Sequence, residues 1–266
     1  MEYQNLVYRL QGGVALILLN RPKALNALSL ELMAELGLAL DRAAADAEVR
    51  AVVLSGEGRA FSSGADLATG SAAAPRDAQG RLNLGLALEQ GYNPLILKMR
   101  DLPKPVIAAV NGLAAGAGAS VALMADLTIA ARSAYFLQAF VNIGLIPDAG
   151  GTWLLPQALG SQRAMGLALL GEKLPAEQAR DWGLIWDVVD DAELMPAALK
   201  LATRLAEGPA LAIERIKRAI YAAAGNSLAA QLDLERDLQR ECGRSEDLLE
   251  GVLAFMQKRQ PKFKGR

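Results

Sequence analysis

A run of four residues without a polar position, "AVVL" at 51–54, restricts the folds open to this chain more than any other feature. A strand with one face in water alternates apolar and polar side chains. A run apolar throughout therefore predicts a strand covered on both faces, as in a parallel sheet flanked by helices. The segment before it agrees: "ALNALSLELMAELGLALDRAAADAEV" repeats Leu32, Leu36 and Leu40 at helical spacing behind Ser29, a residue able to cap the first turn. Earlier still, "LVYRLQGGVALILLN" reads as a hairpin reversed at Gly12-Gly13. Strand, helix, strand in succession makes the chain α/β.

The pattern recurs. "KPVIAAVNG" (104–112) reads as a strand that runs into "LAAGAGASVALMAD", whose small residues open a helix, and "LTIAARSAYF" (127–136) supplies further strands. Between the units lies "ATGSAAAPRDAQG" (68–80), rich in Ala, Gly and Ser, which reads as a mobile surface loop. From Ser161 onward the chain reads as almost wholly helical, with a long stretch at 227–258 broken at Gly243. The expected organisation is a sheet-based core over 1–190 and a helical region over 191–266.

Composition removes several classes of function. A net charge of -1 gives no broad field to draw the chain to nucleic acid or an acidic membrane. The single cysteine, Cys242, excludes an internal disulfide and a cysteine-cluster metal site and fits the reducing cytoplasm. "MEYQNLVYRLQGG" has neither the basic start nor the apolar core of a secretory leader, and charges interrupt the apolar stretches before they reach membrane-spanning length. The absence of histidine excludes the Ser-His-Asp triad, the Cys-His pair and imidazole metal ligands together. Acid–base chemistry must fall to Asp, Glu, Lys, Tyr or Cys, or to oriented backbone groups.

Two loops rich in Gly and Ala follow buried strands: "GRAFSSGADL" (58–67) and "NGLAAGAGAS" (111–120). Small residues there let a ligand approach the main chain, and free N–H groups opening the next helix attract negative charge. Neither loop fits a nucleotide-binding fingerprint. One N–H from each loop could meet at a single oxygen and stabilise an enolate or a tetrahedral oxyanion, each donor contributing roughly 2.7 to 4 kcal/mol in the transition state. A lone carboxylate, Asp148, stands in the uncharged run "GLIPDAGGTWLLP". Between Pro147 and Gly150-Gly151 it can be an ordinary turn residue, or a base whose pKa is raised by an apolar pocket. Glu57 and Glu89 could assist but fit exposed surface, and "YNPLILKMRDL" (92–102) could line an aromatic or an aliphatic pocket.

"AFSSGADL", "KPVIAAVNGLAAGAGASVAL" and "GLIPDAGGTWLLP", in this order, resemble the crotonase superfamily of enoyl-CoA hydratases and isomerases, and the likeness extends to "EGVLAFMQKRQPKF" near the end of the chain. The resemblance implies an α/β spiral of ββα units with a C-terminal helical trimerisation region, assembling as a homo-trimer or a homo-hexamer. It implies an acyl-CoA thioester substrate, no separate cofactor and no metal. By the same resemblance the oxyanion donors are the backbone N–H groups of Ala65 and Ala117, and Asp148 is the catalytic carboxylate. Ala24, Asn26 and Ala27, in "RPKALNALS", fall where the adenosine end is received. Ser63, Gly64, Asp66, Leu67, Gly116, Phe140 and Pro147 fall along the substrate site, and Phe255 and Lys258 where the C-terminus helps to hold coenzyme A.

Two departures bear on the reaction. The two glutamates with which hydratases of the superfamily activate water fall at Ser120 and Phe140, so the resemblance favours an isomerase working through Asp148. Within the superfamily, "GLIPDAGGTWLLPQALGSQRAMGLALLGEKLPAEQARDWGLIWDVVDD" is similar to the branch that isomerises epoxyphenylacetyl-CoA in phenylacetate degradation. Other reactions of the same fold, hydration or dienoyl-CoA isomerisation, are the alternatives within the superfamily. An inert assembly or RNA-binding subunit is the alternative from another class.

Overall fold

The computed structural model describes residues 3–67 and 76–265. Strands β1 (Leu6–Gln11) and β2 (Val14–Leu19) form the expected hairpin, and β2 lies parallel to β3 (Ala51–Gly56) with Ile17 opposite Leu54. Both β2 and β3 are buried along their whole length, as the unbroken apolar runs require. Helix α1 (Leu30–Ala45) joins them. The Ser29 hydroxyl accepts from the Leu32 N–H at 3.3 Å to close its first turn, and Leu32, Leu36 and Leu40 face the sheet.

The chain then repeats one unit, a longer strand in one sheet, a short strand in a second sheet, then a helix. The first unit is β3, β4 (Ala60–Ser62) and a helical stretch made of α2 (Leu84–Ala87), a π-helical turn (Leu88–Tyr92) and α3 (Asn93–Asp101). The second is β5 (Val106–Val110), β6 (Leu113–Ala115) and α4 (Ala117–Leu123). The third is β7 (Leu127–Ala131), β8 (Tyr135–Leu137), a 3-10 turn (Ala139–Ile143) and α5 (Gly151–Leu170). The larger sheet has the order β1-β2-β3-β5-β7-β10 and the smaller β4-β6-β8-β9. This is the expected ββα spiral.

The corner between the sheets needs glycine. A β-carbon on Gly112 would lie 2.2 Å from the Arg59 carbonyl oxygen, so no other residue allows β5 to pass into β6 there. Asn111 fixes the same corner by donating its amide to the Gly56 and Gly58 carbonyls, each at 2.8 Å.

The C-terminal half adds two details to the expectation. The chain beyond Ser161 is mostly helical, as expected, but two short strands interrupt the helices: β9 (Lys173–Pro175) and β10 (Asp187–Val189) close the two sheets, β10 pairing parallel to β7 with Val188 opposite Ala130. Each is a three-residue strand, too short to carry a periodicity. Helix α5 starts at Gly151, well before Ser161, and runs through Pro156 to a kink at Gly160. After α6 (Ala176–Asp181), α7 (Leu194–Ala206) lies on the larger sheet through Leu194, Ala198, Ala202 and Ala206. Helices α8 (Ala210–Ala223), α9 (Leu228–Cys242) and α10 (Glu246–Met256) follow. No residue of α8 is buried, although it carries Ile216 and Ile220.

Of the loop expected to be mobile, residues 68–75 lie outside the described residues; 76–80 form a turn in which Asp77 accepts from the Gln79 and Arg81 N–H groups, each at 2.9 Å. Among the described residues, no helix is long and apolar enough to cross a membrane.

Candidate active site

The loop after β4 is held by a neighbouring segment, residues 24–28, a turn in which Leu25 and Asn26 take φ of +51 and +54. Ser62 Oγ donates to the Asn26 carbonyl at 2.8 Å, and the Ser63 N–H donates to the Leu25 carbonyl at 2.9 Å. The Leu28 N–H donates to the Gly64 carbonyl at 2.8 Å, and the Leu28 carbonyl accepts from the Asp66 N–H at 3.3 Å. Leu28 and Ala65 form a single parallel bridge. In such a bridge Leu28 bonds to the residues on either side of Ala65, so the Ala65 N–H points the other way. It faces outward, and Ala65 is exposed.

Side chains fasten this arrangement. Asn26 is fully buried at a φ of +54, its Oδ1 accepting from the Arg21 N–H at 2.9 Å and its Nδ2 donating to the Glu57 carbonyl at 3.0 Å and the Ala60 carbonyl at 2.8 Å. Both amide hydrogens are spent within the chain, so Asn26 holds the loop together and does not present its side chain to a ligand. Arg21 Nη2 pairs with Asp66 Oδ2 at 2.8 Å and ties the two segments at their far end.

The second amide comes from regular structure. Gly116, at φ +50, donates its N–H to the Leu137 carbonyl at 2.8 Å and caps α4. Ala117 is the first residue of that helix, and its N–H therefore has no acceptor within it. The two loops meet at Gly64, where φ is +94: a β-carbon there would lie 2.7 Å from the Ala115 carbonyl oxygen and 3.5 Å from the Ala117 nitrogen. Only glycine lets the Ala65 loop approach Ala117 so closely.

Asp148 is both things that its sequence context allowed. It is a turn residue: its carbonyl accepts from the Gly151 N–H at 2.9 Å, and Ala149 and Gly150 follow with φ of +48 and +84. Its carboxylate is also isolated. Oδ1 is buried without a hydrogen-bond partner, and burial raises the pKa to about 6. Ser120, in α4, donates its hydroxyl to the Asp148 carbonyl at 2.9 Å, which links the carboxylate turn to the helix that begins with Ala117. Phe140 is buried, with its ring 3.7 Å from the point where Gly116 would carry a β-carbon.

The structure thus gathers Ala24, Asn26, Ala27, Ser63, Gly64, Ala65 and Asp66 in two hydrogen-bonded segments, and Gly116, Ala117, Phe140, Pro147 and Asp148 around α4. Leu67 is exposed beside them. Phe255 and Lys258 do not join this group within the chain. Phe255, 86% exposed, borders a groove of about 990 Å³ between α8, α9 and α10, with Ile216, Leu232 and Val252 along its walls, and Lys258 lies in the exposed turn after α10. Sequence reasoning passed over the Ser120 hydroxyl, the Arg21–Asp66 pair and the hydroxyl of Tyr92. The first two depend on contacts between distant segments, which no spacing reports. Glu89 lies on the exposed side of the π-helical turn. Among the described residues, no group of three or more His, Cys, Asp or Glu could hold a metal ion.

The profile of the enoyl-CoA hydratase/isomerase family matches residues 9–266. Over the whole of both chains, 266 residues, the sequence is 50% identical to 1,2-epoxyphenylacetyl-CoA isomerase of Escherichia coli strain K12. It is 49% identical, again over the full length of both, to a Rhodobacter capsulatus protein named "Probable enoyl-CoA hydratase". The fold matches the crystal structure of an enoyl-CoA hydratase from Bacillus anthracis with a TM-score of 0.92 and 34% identity, covering 99% of this chain and 100% of that one.

Proposed function

The chain belongs to the enoyl-CoA hydratase/isomerase family, and from that premise we propose that it is an acyl-CoA isomerase. Its reactions are conversion of 2-(1,2-epoxy-1,2-dihydrophenyl)acetyl-CoA to oxepin-CoA and migration of a 3,4 double bond to the 2,3 position. One observation carries the reading: Asp148 stands as a single partly buried carboxylate with no second carboxylate at Ser120 or Phe140. The Ser120 hydroxyl is spent on the Asp148 carbonyl and Phe140 is a packed ring, so the two positions that the resemblance gives to water activation cannot hold water between carboxylates.

In the mechanism, the thioester oxygen accepts from the Ala65 and Ala117 N–H groups. Negative charge gathers there when the C2 proton leaves, so the donors stabilise the enolate more than the ground state. Asp148, with a pKa of about 6, is ionised at neutral pH and yet a stronger base than an exposed carboxylate. It removes the proton from C2 and returns it at C4, and the double bond moves between them with no net gain or loss of atoms. With the ring epoxide, the C1–C2 ring bond breaks while both C–O bonds remain, and the oxyanion donors hold the thioester during that rearrangement. The substrate carries its own coenzyme A, and no other cofactor is needed.

The same reading assigns the protein to the cytoplasm and to phenylacetate catabolism, acting without nucleic acid or membrane. It makes the assembly a trimer or a pair of trimers, which the exposed apolar side chains Ile216, Ile220, Leu228, Leu249 and Phe255 of the C-terminal helices support.

The test compares three substrates with purified protein. Oxepin-CoA should form from the epoxide, and a 3-enoyl-CoA should isomerise much faster than crotonyl-CoA takes up water. Asp148→Asn should lower 3-enoyl-CoA turnover at least about a hundredfold with little change in affinity. Hydration as fast as isomerisation would replace this reading with that of a hydratase on an aliphatic acyl-CoA.

A further inference from the structure

Among the described residues, Tyr92 places an aromatic hydroxyl between the two halves of the site. It ends the π-helical turn Leu88–Tyr92, in which the Asn93 N–H reaches back five residues to the Leu88 carbonyl. Such turns insert one residue into a helix and are common where a side chain must be aimed. Here the inserted residue brings Tyr92 inward, and the residue is 7% exposed. Its hydroxyl lies 3.4 Å from the Leu28 carbonyl, the group bridged to the Ala65 loop. One helical turn further, Ile96 Cγ2 lies 3.8 Å from the position of a β-carbon on Gly150, in the turn that carries Asp148. The inner face of this helix therefore spans from the Ala65 loop to the Asp148 turn, with the phenol at the Ala65 end.

The hydroxyl is poorly used where it is. An O–H···O bond is usually about 2.7–2.8 Å long, so a contact of 3.4 Å leaves most of the donor's strength unspent. The Leu28 carbonyl does not depend on it, since it already accepts from the Asp66 N–H at 3.3 Å. Phenylalanine would fill the same apolar space without leaving a hydroxyl weakly satisfied. Burial, followed by the nearby Asp148 and Asp66 charges, raises the Tyr92 pKa, so the group is a neutral donor throughout the working range.

We propose that Tyr92 is a specificity-determining residue that donates its hydroxyl hydrogen to an oxygen carried on the acyl group, such as a ring epoxide, and so favours oxygenated acyl thioesters over plain ones. The proposal rests on the acyl-CoA reading given above. An oxygen on the ring carbons next to C2 is within a few bonds of the carbon at which Asp148 works, and the Tyr92 hydroxyl lies close enough to feel the charges of both Asp148 and Asp66. The phenol gives up only a long contact to bind it, so little of the new bond is lost in exchange.

Two measurements test this. In the first, the specificity constants of the parent and of Tyr92→Phe are compared on the epoxide and on a 3-enoyl-CoA without acyl oxygen. The ratio of epoxide to enoyl should fall at least about tenfold in the variant, the size of one hydrogen bond of roughly 1.4 kcal/mol. An equal loss on both substrates would make Tyr92 a packing residue, and no change on either would also overturn the proposal. The second measurement is binding to unreactive probes. The parent should hold 2-hydroxyphenylacetyl-CoA several-fold tighter than phenylacetyl-CoA, and equal affinities would overturn the proposal even if the variant fails to fold. If the parent binds these thioesters with the expected preference, Tyr92→Phe loses that preference and neither protein converts the epoxide, the reaction assignment fails and the role of Tyr92 stands.

Discussion

Ala65 and Ala117 offer the same group, a backbone N–H, but the chain holds the two by different means. Ala117 is fixed by packing: every residue of α4 is buried, most are Ala, Gly or Val, and the amide lacks an acceptor within the helix simply by being first in it. Ala65 lies on a loop without regular structure, fixed by the amide of Asn26, the hydroxyl of Ser62 and the Arg21–Asp66 pair. The first arrangement should resist loss of a polar group and be sensitive to added volume; the second should behave the other way round.

The sharpest way to break this comparison is at Gly64, where the two halves meet. Gly64→Ala places a β-carbon 2.7 Å from the Ala115 carbonyl oxygen and must push Ala65 and Ala117 apart. Loss of one oxyanion donor lowers kcat by roughly 10²–10³-fold. Steady-state kinetics on a 3-enoyl-CoA should show that drop in kcat, and a variant within tenfold of the parent would mean that the two amides do not serve one oxygen.

Next in size is pH, which acts on the carboxylate alone. With a pKa of about 6, kcat/KM for a 3-enoyl-CoA should fall about tenfold per pH unit well below 6 and reach a plateau above 7. Stability should move in the opposite direction. Burial raises the folded pKa from 3.8 to about 6, so the folded state binds more protons in that window and loses stability as pH rises through it. Asp148→Asn should therefore melt at a higher temperature than the parent at pH 7.5, with the gain shrinking toward pH 4. A gain independent of pH would remove burial as the cause.

Asn26→Ala sharpens the comparison from the Ala65 side. It leaves the Arg21 N–H and the Glu57 and Ala60 carbonyls without their partner, at a cost of about 1–3 kcal/mol for each group that stays buried and unpaired. Activity should fall by about tenfold or more as the loop slackens. Ala119→Val in α4 removes no hydrogen bond and should cost about 1–3 kcal/mol by overpacking alone. Chemical denaturation with parallel assays separates the two kinds of loss. The smallest effect belongs to Ser120→Ala, which removes one bond to the Asp148 carbonyl while the bond from the Gly151 N–H remains. About 1 kcal/mol of stability and a few-fold in turnover should go with it. A drop as large as that of Asp148→Asn would make Ser120 part of the proton transfer.

How much of this was legible depended on whether a feature is local. The Ser29 cap and the Leu32, Leu36, Leu40 stripe appear in the structure where the spacing put them, because a helix writes its own period into the sequence. Strands β9 and β10 were missed because their places are set by partners far along the chain, at β8 and β7. Asn26 could be placed near the site by resemblance, but its work is done through the carbonyls of Glu57 and Ala60, more than thirty residues away. Asp148 was legible because a charge in an apolar run needs a reason. Tyr92 was not, since a π-helical turn shifts the phase of the helical pattern by one residue, and a regular period then points to the wrong face.

That shift of phase has an evolutionary reading. In an α-helix successive side chains are about 100° apart, so losing one residue from the π-helical turn would restore the regular period and swing everything before it against everything after it by that angle. A deletion of a single codon between Leu88 and Gly91 would therefore change which side chains before Tyr92 face inward. One genetic step would thus alter the inner face of the helix that carries Tyr92 while leaving the sequences of both Gly-rich loops and of the Asp148 turn unchanged.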